Sequence, residues 1–238
     1  MSPVTKNQLD ATDWGSDSDT PPGPISLDDA LAARDVISPY LRPTPLLHNP
    51  VLSHRVGTDT FVKLENVQEM GAFKIRGAIN LLASMDDEQR SKGIVTATRG
   101  NYGTALAQAC AMFDAKCTVF VPEGNSPDKN TAVAALGGEV FVKGHDFDAA
   151  WDASVRHARK IGAVSIHPAK RPELVAGQAT VALEMLEQSE GGLDVVFVPV
   201  GGGSLAAGTT TVIKAMSPTI FDDGVTLTIS PSIRFTSA

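Results

Sequence analysis

A single lysine, Lys74, sits in the run Gly71-Ala72-Phe73-Lys74-Ile75-Arg76-Gly77-Ala78. A lysine amine forms Schiff bases with carbonyl compounds, and does so best when partial burial lowers its pKa. Phe73 and Ile75 flank it with apolar surface, and Arg76-Gly77-Ala78 opens a helical pattern that continues through Leu82. The same run also fits a surface lysine whose stem lies along apolar neighbours while its charge stays in water. Alone it does not decide between the two.

Two further loops carry chemistry. Gly201-Gly202-Gly203-Ser204 follows the apolar run 194–200 and leads into a helical pattern over 205–216. Consecutive glycines let backbone approach an anion, and a helix start supplies unpaired N–H groups and a positive dipole end. Ser204 adds a hydroxyl at the expected cap position. No Gly-Lys-Ser/Thr follows and the GxGxxG spacing is missing, so neither a Walker loop nor a dinucleotide fingerprint is present. A tight strand-to-helix turn with no ligand is the alternative. The other loop is Thr96-Ala97-Thr98-Arg99-Gly100-Asn101-Tyr102-Gly103, where hydroxyls, an amide and free N–H groups suit a carboxylate or a phenolic oxygen. Asn101 also reads as a plain helix N-cap.

The elements that must position these loops alternate between strand and helix. Strands are expected at 60–65, 93–97, 116–121, 139–142, 163–166 and 194–200. Helices are expected at 25–40, 102–113, 128–136, 146–161, 173–188 and 205–216. Such alternation implies parallel sheets wound by right-handed crossovers, the doubly wound α/β class. The runs Thr118-Val119-Phe120-Val121 and Val195-Val196-Phe197-Val198 are expected to be buried on both faces. Ligands in such sheets lie at the carboxyl ends of strands, which is where both loops fall.

Composition sets outer limits. The chain has 238 residues, 42% hydrophobic and 20% charged, with a net charge of −7 that argues against a nucleic-acid-binding face. The two cysteines, Cys110 and Cys117, have no CxxC partner, which favours buried thiols in a reducing compartment over a disulfide framework or a metal site. No window has the length and apolarity of a membrane helix, and no secretory signal opens the chain. The cytoplasm is the expected compartment. Residues 1–24, rich in Ser, Thr, Asp, Gly and Pro, read as a disordered tail.

An amine, a phosphate cradle and an anion-friendly Asn loop together describe a pyridoxal phosphate site, and the residues around them resemble a known family. Lys63-Leu64-Glu65-Asn66-Val67-Gln68 followed by residues 71–78 resembles the Lys-x-Glu-x-x-Gln…Ser-Phe-Lys-x-Arg-Gly-Ala signature of threonine dehydratases and serine racemases. Residues 98–103 resemble their Ser-Ala-Gly-Asn-His-Ala/Gly loop. His167-Pro168 with residues 176–184 resembles their His-Pro…Ala-Gly-Gln-Gly-Thr-Ile-Ala-Leu-Glu stretch, and residues 199–205 their Pro-Val-Gly-Gly-Gly-Gly-Leu/Met loop. The resemblance implies a two-lobed tryptophan synthase β-like fold, with a large domain from 25–91 and 170–238 and a small domain from 92–169. It implies that Lys74 holds pyridoxal 5'-phosphate with Phe73 packed beside it. Asn101 would meet the pyridine 3-oxygen, and Gly201, Gly202, Gly203, Ser204 and Leu205 the phosphate. Thr98, Arg99, Gly100, Asn101 and Tyr102 would receive a small amino-acid substrate, with no metal required and a homo-oligomer possible.

The implied reaction is β-elimination from a small β-hydroxy amino acid, such as threonine or serine, giving a 2-oxo acid and ammonia, with Lys74 as base. The family's racemases use a loop serine as second base. Arg99 stands at that position here, and a guanidinium does not give up its proton, so racemisation is demoted. Arg99 would pair with a second anionic group, as on a hydroxyaspartate or a hydroxyectoine derivative, or remain a solvated loop residue. Ala72 and Tyr102 replace the family's Ser and His, which weakens the case for threonine itself. Beyond 217–220 the family pattern of further strand-helix units is replaced by a short stretch with one strand-like run, 225–229. The family's residue at the pyridine nitrogen and its acidic cation site have no counterpart. The sequence thus reads as C-terminally truncated, and a catalytically impaired cofactor-binding remnant is the alternative function.

Overall fold

A computed structural model describes residues 24–190, 192–221 and 227–228 of the chain. The 1–24 tail, apart from Pro24, and most of the 225–229 run lie outside those residues. The first helix, α1 (Leu27–Ile37), starts where its residues dictate. Ser26 Oγ accepts from the Asp29 amide at 3.2 Å and the Asp29 carboxylate accepts from the Ser26 amide at 2.7 Å, a reciprocal capping box. A short antiparallel hairpin follows, β1 (Leu46–His48) against β2 (Phe61–Lys63), with α2 (Pro50–Val56) between them. Only the second of these strands is expected from the sequence. β1 spans three residues and is mostly exposed, so it carries too short an alternation to register.

From there the chain runs through α3 (Lys74–Ser84), α4 (Asp87–Ser91), β3 (Ile94–Ala97), α5 (Asn101–Met112), β4 (Cys117–Val121), α6 (Pro127–Ala135) and β5 (Glu139–Val142). It continues through α7 (Phe147–Ile161), β6 (Val164–Ser165), α8 (Pro172–Gln188), β7 (Val198–Pro199), α9 (Ser204–Met216) and β8 (Leu227–Thr228). Strands β3 to β6 form an all-parallel sheet in the order β5-β4-β3-β6. Its central strands are buried on both faces, as parallel strands between helices must be. Ile94, Val119 and Val121 pack with α3 and α5, whereas Val95, Ala97 and Phe120 pack with Ala150 and Ala158 of α7.

The expectation for 194–200 needs correction. The strand contracts to Val198–Pro199, paired with β8 through Val198↔Leu227 and Pro199↔Thr228. Val196 and Val198 are buried against α8 and α9, but Val195 is exposed and Phe197 is 67% exposed. The run is therefore covered on one face, because no described element lies over the other.

Helix α8 is the spine that places the site. A Cβ added at Gly177 would lie 2.6 Å from both the Arg76 carbonyl oxygen and the Gly77 Cα, so the α3 and α8 backbones touch there. One added at Gly208 would lie 2.8 Å from the Val175 carbonyl oxygen, so α9 meets α8 just as closely. Both neighbours of α8 are thereby fixed, and their first residues, Lys74 and Ser204, meet.

Candidate active site

Lys74 begins α3 and Ser204 begins α9, and Lys74 Nζ donates to Ser204 Oγ at 3.0 Å. Lys74 Nζ also lies 5.0 Å from the centre of the Phe73 ring. Burial lowers the Lys74 pKa to about 8, because desolvation penalises the ammonium form. Half of the amine is then neutral at mildly alkaline pH, the form in which it attacks a carbonyl. The lysine is thus half-buried, with its amine held inside and not extended into water.

The glycine loop leads to α9 through Gly203, which is its N-cap and has φ 86°, a left-handed conformation that glycine adopts without strain. Ser204 is therefore the first helical residue and not the cap expected from the sequence. Its side chain makes no cap bond and faces Lys74 instead. The unpaired N–H groups of the first turn of α9 remain available to an anion. Gly201 has nothing within 4 Å of where a Cβ would be, and Gly202 is met only by the Ala169 Cβ at 3.0 Å. An open glycine cradle one hydrogen bond from an amine of lowered pKa fits a phosphorylated aldehyde.

The Asn loop divides its labour. Thr98 is buried and its Oγ1 accepts from the Gly100 amide at 3.0 Å, so this hydroxyl shapes the loop. Gly100 caps α5, and Asn101 is its first residue, exposed and with no described partner for its amide; the plain N-cap reading does not hold. Arg99 is likewise exposed and without a partner among the described residues. The Tyr102 side chain points the other way: it is 3% exposed within the core, its hydroxyl has no described partner, and burial followed by Cys110 and Cys117 raises its pKa well above the usual phenol value. Only the backbone of Tyr102 is left to meet a ligand.

Charged residues around the lysine, to which sequence reasoning assigned no role, build a buried network. Arg76 is 1% exposed and forks onto two carboxylates. It donates to Glu65 at 2.8 Å from both Nε and Nη2, and to Glu184 at 2.6 and 2.9 Å. Lys63 Nζ adds a bond to Glu184 at 2.6 Å. Burial opposes charge on Glu184, yet Arg76 and then Lys63 outweigh it and hold its pKa below the usual carboxylate value. The network ties the strand before the Lys74 turn, the helix after it and α8 into one unit. The signal was present in the motif spacing, since Lys63, Glu65, Arg76 and Glu184 all stand in the quoted signatures.

His167, which follows β6, is packed edge-on to Phe147 and Trp151. Its Nδ1 accepts from the Ala169 amide at 3.2 Å, and burial, then the Lys170 charge, lowers its pKa to about 4. It is neutral at physiological pH and braces the loop that touches Gly202. Among the described residues no group of three or more His, Cys, Asp or Glu is placed to hold a metal, and no helix is long and apolar enough to cross a membrane.

A parallel α/β scaffold that sets a half-buried amine beside a glycine-lined loop is an arrangement that suits pyridoxal phosphate. The chain belongs to the pyridoxal-phosphate dependent enzyme family, which it matches over residues 37–229. It is 37% identical over 209 residues to an L-threonine ammonia-lyase of Thermotoga maritima, covering 88% of this chain and 52% of that one. It is 36% identical to a serine racemase of Dictyostelium discoideum, covering 84% of this chain and 61% of that one. A solved structure of maize serine racemase superposes with a TM-score of 0.79 at 35% identity, covering 83% of this chain and 60% of that one. The chain spans between half and two thirds of the length of these relatives.

Proposed function

We propose that the chain catalyses β-elimination from a small β-hydroxy amino acid, giving a 2-oxo acid and ammonia, with Lys74 as both the cofactor anchor and the base. The observation that carries this reading is the contact between the Lys74 amine and Ser204, the residue that joins the glycine loop to α9. Pyridoxal phosphate, when bound, supplies an electron sink that acidifies the substrate Cα–H. Gly201, Gly202, Gly203, Ser204 and Leu205 would hold the phosphate with backbone N–H groups. Asn101 offers its free amide to the ring oxygen, and Phe73 flanks the amine. Lys74 Nζ, in its neutral form, would take the Cα proton and keep it within the site. The loop of Thr98, Arg99, Gly100, Asn101 and Tyr102 receives the substrate carboxylate, mainly through backbone N–H groups at the start of α5.

Elimination is favoured over racemisation because a second proton carrier is needed on the opposite face of Cα, and Arg99 cannot act as that base. The lobe division into 25–91 with 170–238 and 92–169 belongs to the same reading, supported by the parallel sheet lying wholly between Ile94 and Ser165. A reducing cytoplasm is supported by the two free buried cysteines, Cys110 and Cys117. A homo-oligomer is supported by the exposed Leu47, Val51, Val56 and Phe61 on the β1–α2–β2 unit. A second reading, cofactor binding without turnover, is favoured by the uncovered Phe197, which immediately precedes β7.

Mixing the protein with pyridoxal phosphate is expected to give the visible absorption of a lysine-bound chromophore, lost in Lys74→Ala. An unchanged spectrum in that variant overturns the assignment. Release of 2-oxo acid from threonine, serine or 3-hydroxyaspartate then separates turnover from binding alone.

A further inference from the structure

We infer that Ser204 is a positioning residue for Lys74, its hydroxyl docking the free amine against the cradle so that amine and anion site face one incoming molecule. This rests on the reading of Lys74 as the reactive amine. The resemblance sets a glycine at this position, and a glycine would present the same backbone N–H to an anion. The hydroxyl is therefore surplus to the cradle. What it does contact is Lys74 Nζ, at 3.0 Å, from a side chain that is 3% exposed.

No carboxylate lies within ion-pair distance of Lys74 among the described residues, so the serine is the amine's hydrogen-bonding partner there. A hydroxyl suits this task better than a carboxylate. It accepts from an ammonium and donates to a neutral amine, so the amine stays docked in either protonation state. A carboxylate would hold the charged form and suppress nucleophilicity. Without the docking bond, only the Phe73 ring at 5.0 Å is left to oppose the tendency of a long lysine stem to swing its head into water.

The test uses the full chain purified free of cofactor and follows the rate at which acetic anhydride acetylates Lys74, read by mass spectrometry as a function of pH. Wild type is expected to show a labelling midpoint near pH 8. In Ser204→Ala the released amine is expected to move its midpoint upward by about one pH unit or more, an about tenfold fall in its neutral fraction at neutral pH. Ser204→Thr, which keeps a hydroxyl, is expected to stay near the wild-type midpoint and guards against a general effect of substitution at the start of α9. A midpoint that stays near 8 in Ser204→Ala, or that moves equally in Ser204→Thr, overturns the proposal. Because no cofactor is present, this outcome is independent of whether Lys74→Ala abolishes the pyridoxal spectrum.

Discussion

Arg76 and Glu184 stand 108 residues apart in sequence and meet in a two-bond fork at 2.6 and 2.9 Å, wholly inside the protein. Glu65, eleven residues before Arg76, closes the other side of the same guanidinium. The turn carrying Lys74 lies between Glu65 and Arg76, so both of its ends are pinned to one cation. With Lys63 included, the cluster holds two cations and two carboxylates, and its formal charge is zero. Neutrality and complete hydrogen bonding are what make such burial tolerable.

Removing one member should therefore cost more than the loss of one contact. Arg76→Met leaves Glu65 and Glu184 buried beside a single lysine, and is expected to destabilise the fold by about 3–5 kcal/mol. Arg76→Lys keeps the charge but cannot fork onto two carboxylates, and is expected to lose less. Urea denaturation followed by circular dichroism measures both. A loss under 1 kcal/mol for Arg76→Met would show that the cluster is not coupled to folding.

The contact between α3 and α8 makes an equally local prediction. In Gly177→Ala the new methyl meets backbone atoms of Arg76 and Gly77 at 2.6 Å, and backbone cannot step aside as a side chain end can. The expected loss is about 2–3 kcal/mol from overpacking. Gly100→Ala meets nothing within 4 Å and is expected to leave stability within about 0.5 kcal/mol of wild type. Thermal unfolding of the two variants side by side checks the contrast.

Much of this was legible in the sequence because it is local. The four parallel strands with their helices and the cradle before α9 each follow from residues within a few positions of one another. What was not legible depends on partners far along the chain. Ser204 reads as a cap until Lys74, 130 residues earlier, arrives beside it. Tyr102 reads as a loop residue at the substrate, yet the first turn of α5 rotates its ring into the core. Val195 and Phe197 have the composition of a doubly buried strand, but coverage on the second face requires an element that no local pattern supplies.

His167 sets a pH dependence. Its folded pKa of about 4 lies below the ordinary 6.5, through burial and then the charge of Lys170, with Asp148 opposing. The unfolded chain takes up a proton that the folded one resists, so this contribution is intact above pH 6.5 and is lost as pH falls toward 4. The shift corresponds to about 3 kcal/mol, and because the ring is only partly buried solvent screening reduces the expected loss to about 2 kcal/mol over that window. His167→Asn keeps an acceptor for the Ala169 amide and does not titrate, so its stability should fall less steeply between pH 6.5 and 4. Parallel slopes for the two proteins would remove His167 as the cause.

Lys74 gives the opposite trade between stability and reactivity. Its folded pKa of about 8 lies below the ordinary 10.5 because burial disfavours the ammonium. Below pH 8 the folded protein carries the full cost of that buried charge, while the unfolded chain holds the same proton in water. Between pH 8 and 10.5 the folded state has released its proton and the unfolded state has not, so stability rises with pH and levels off above 10.5. Lys74→Met replaces the amine by an uncharged side chain of similar length. It is expected to stabilise the cofactor-free protein by about 1–3 kcal/mol at pH 6.5, an advantage that shrinks toward zero as pH approaches 10.5. Urea unfolding of both proteins at pH 6.5 and pH 10 measures the difference. An equal gain at the two pH values would assign the effect to packing, whereas a gain confined to the lower pH identifies the cost of keeping a lysine poised beside its cradle.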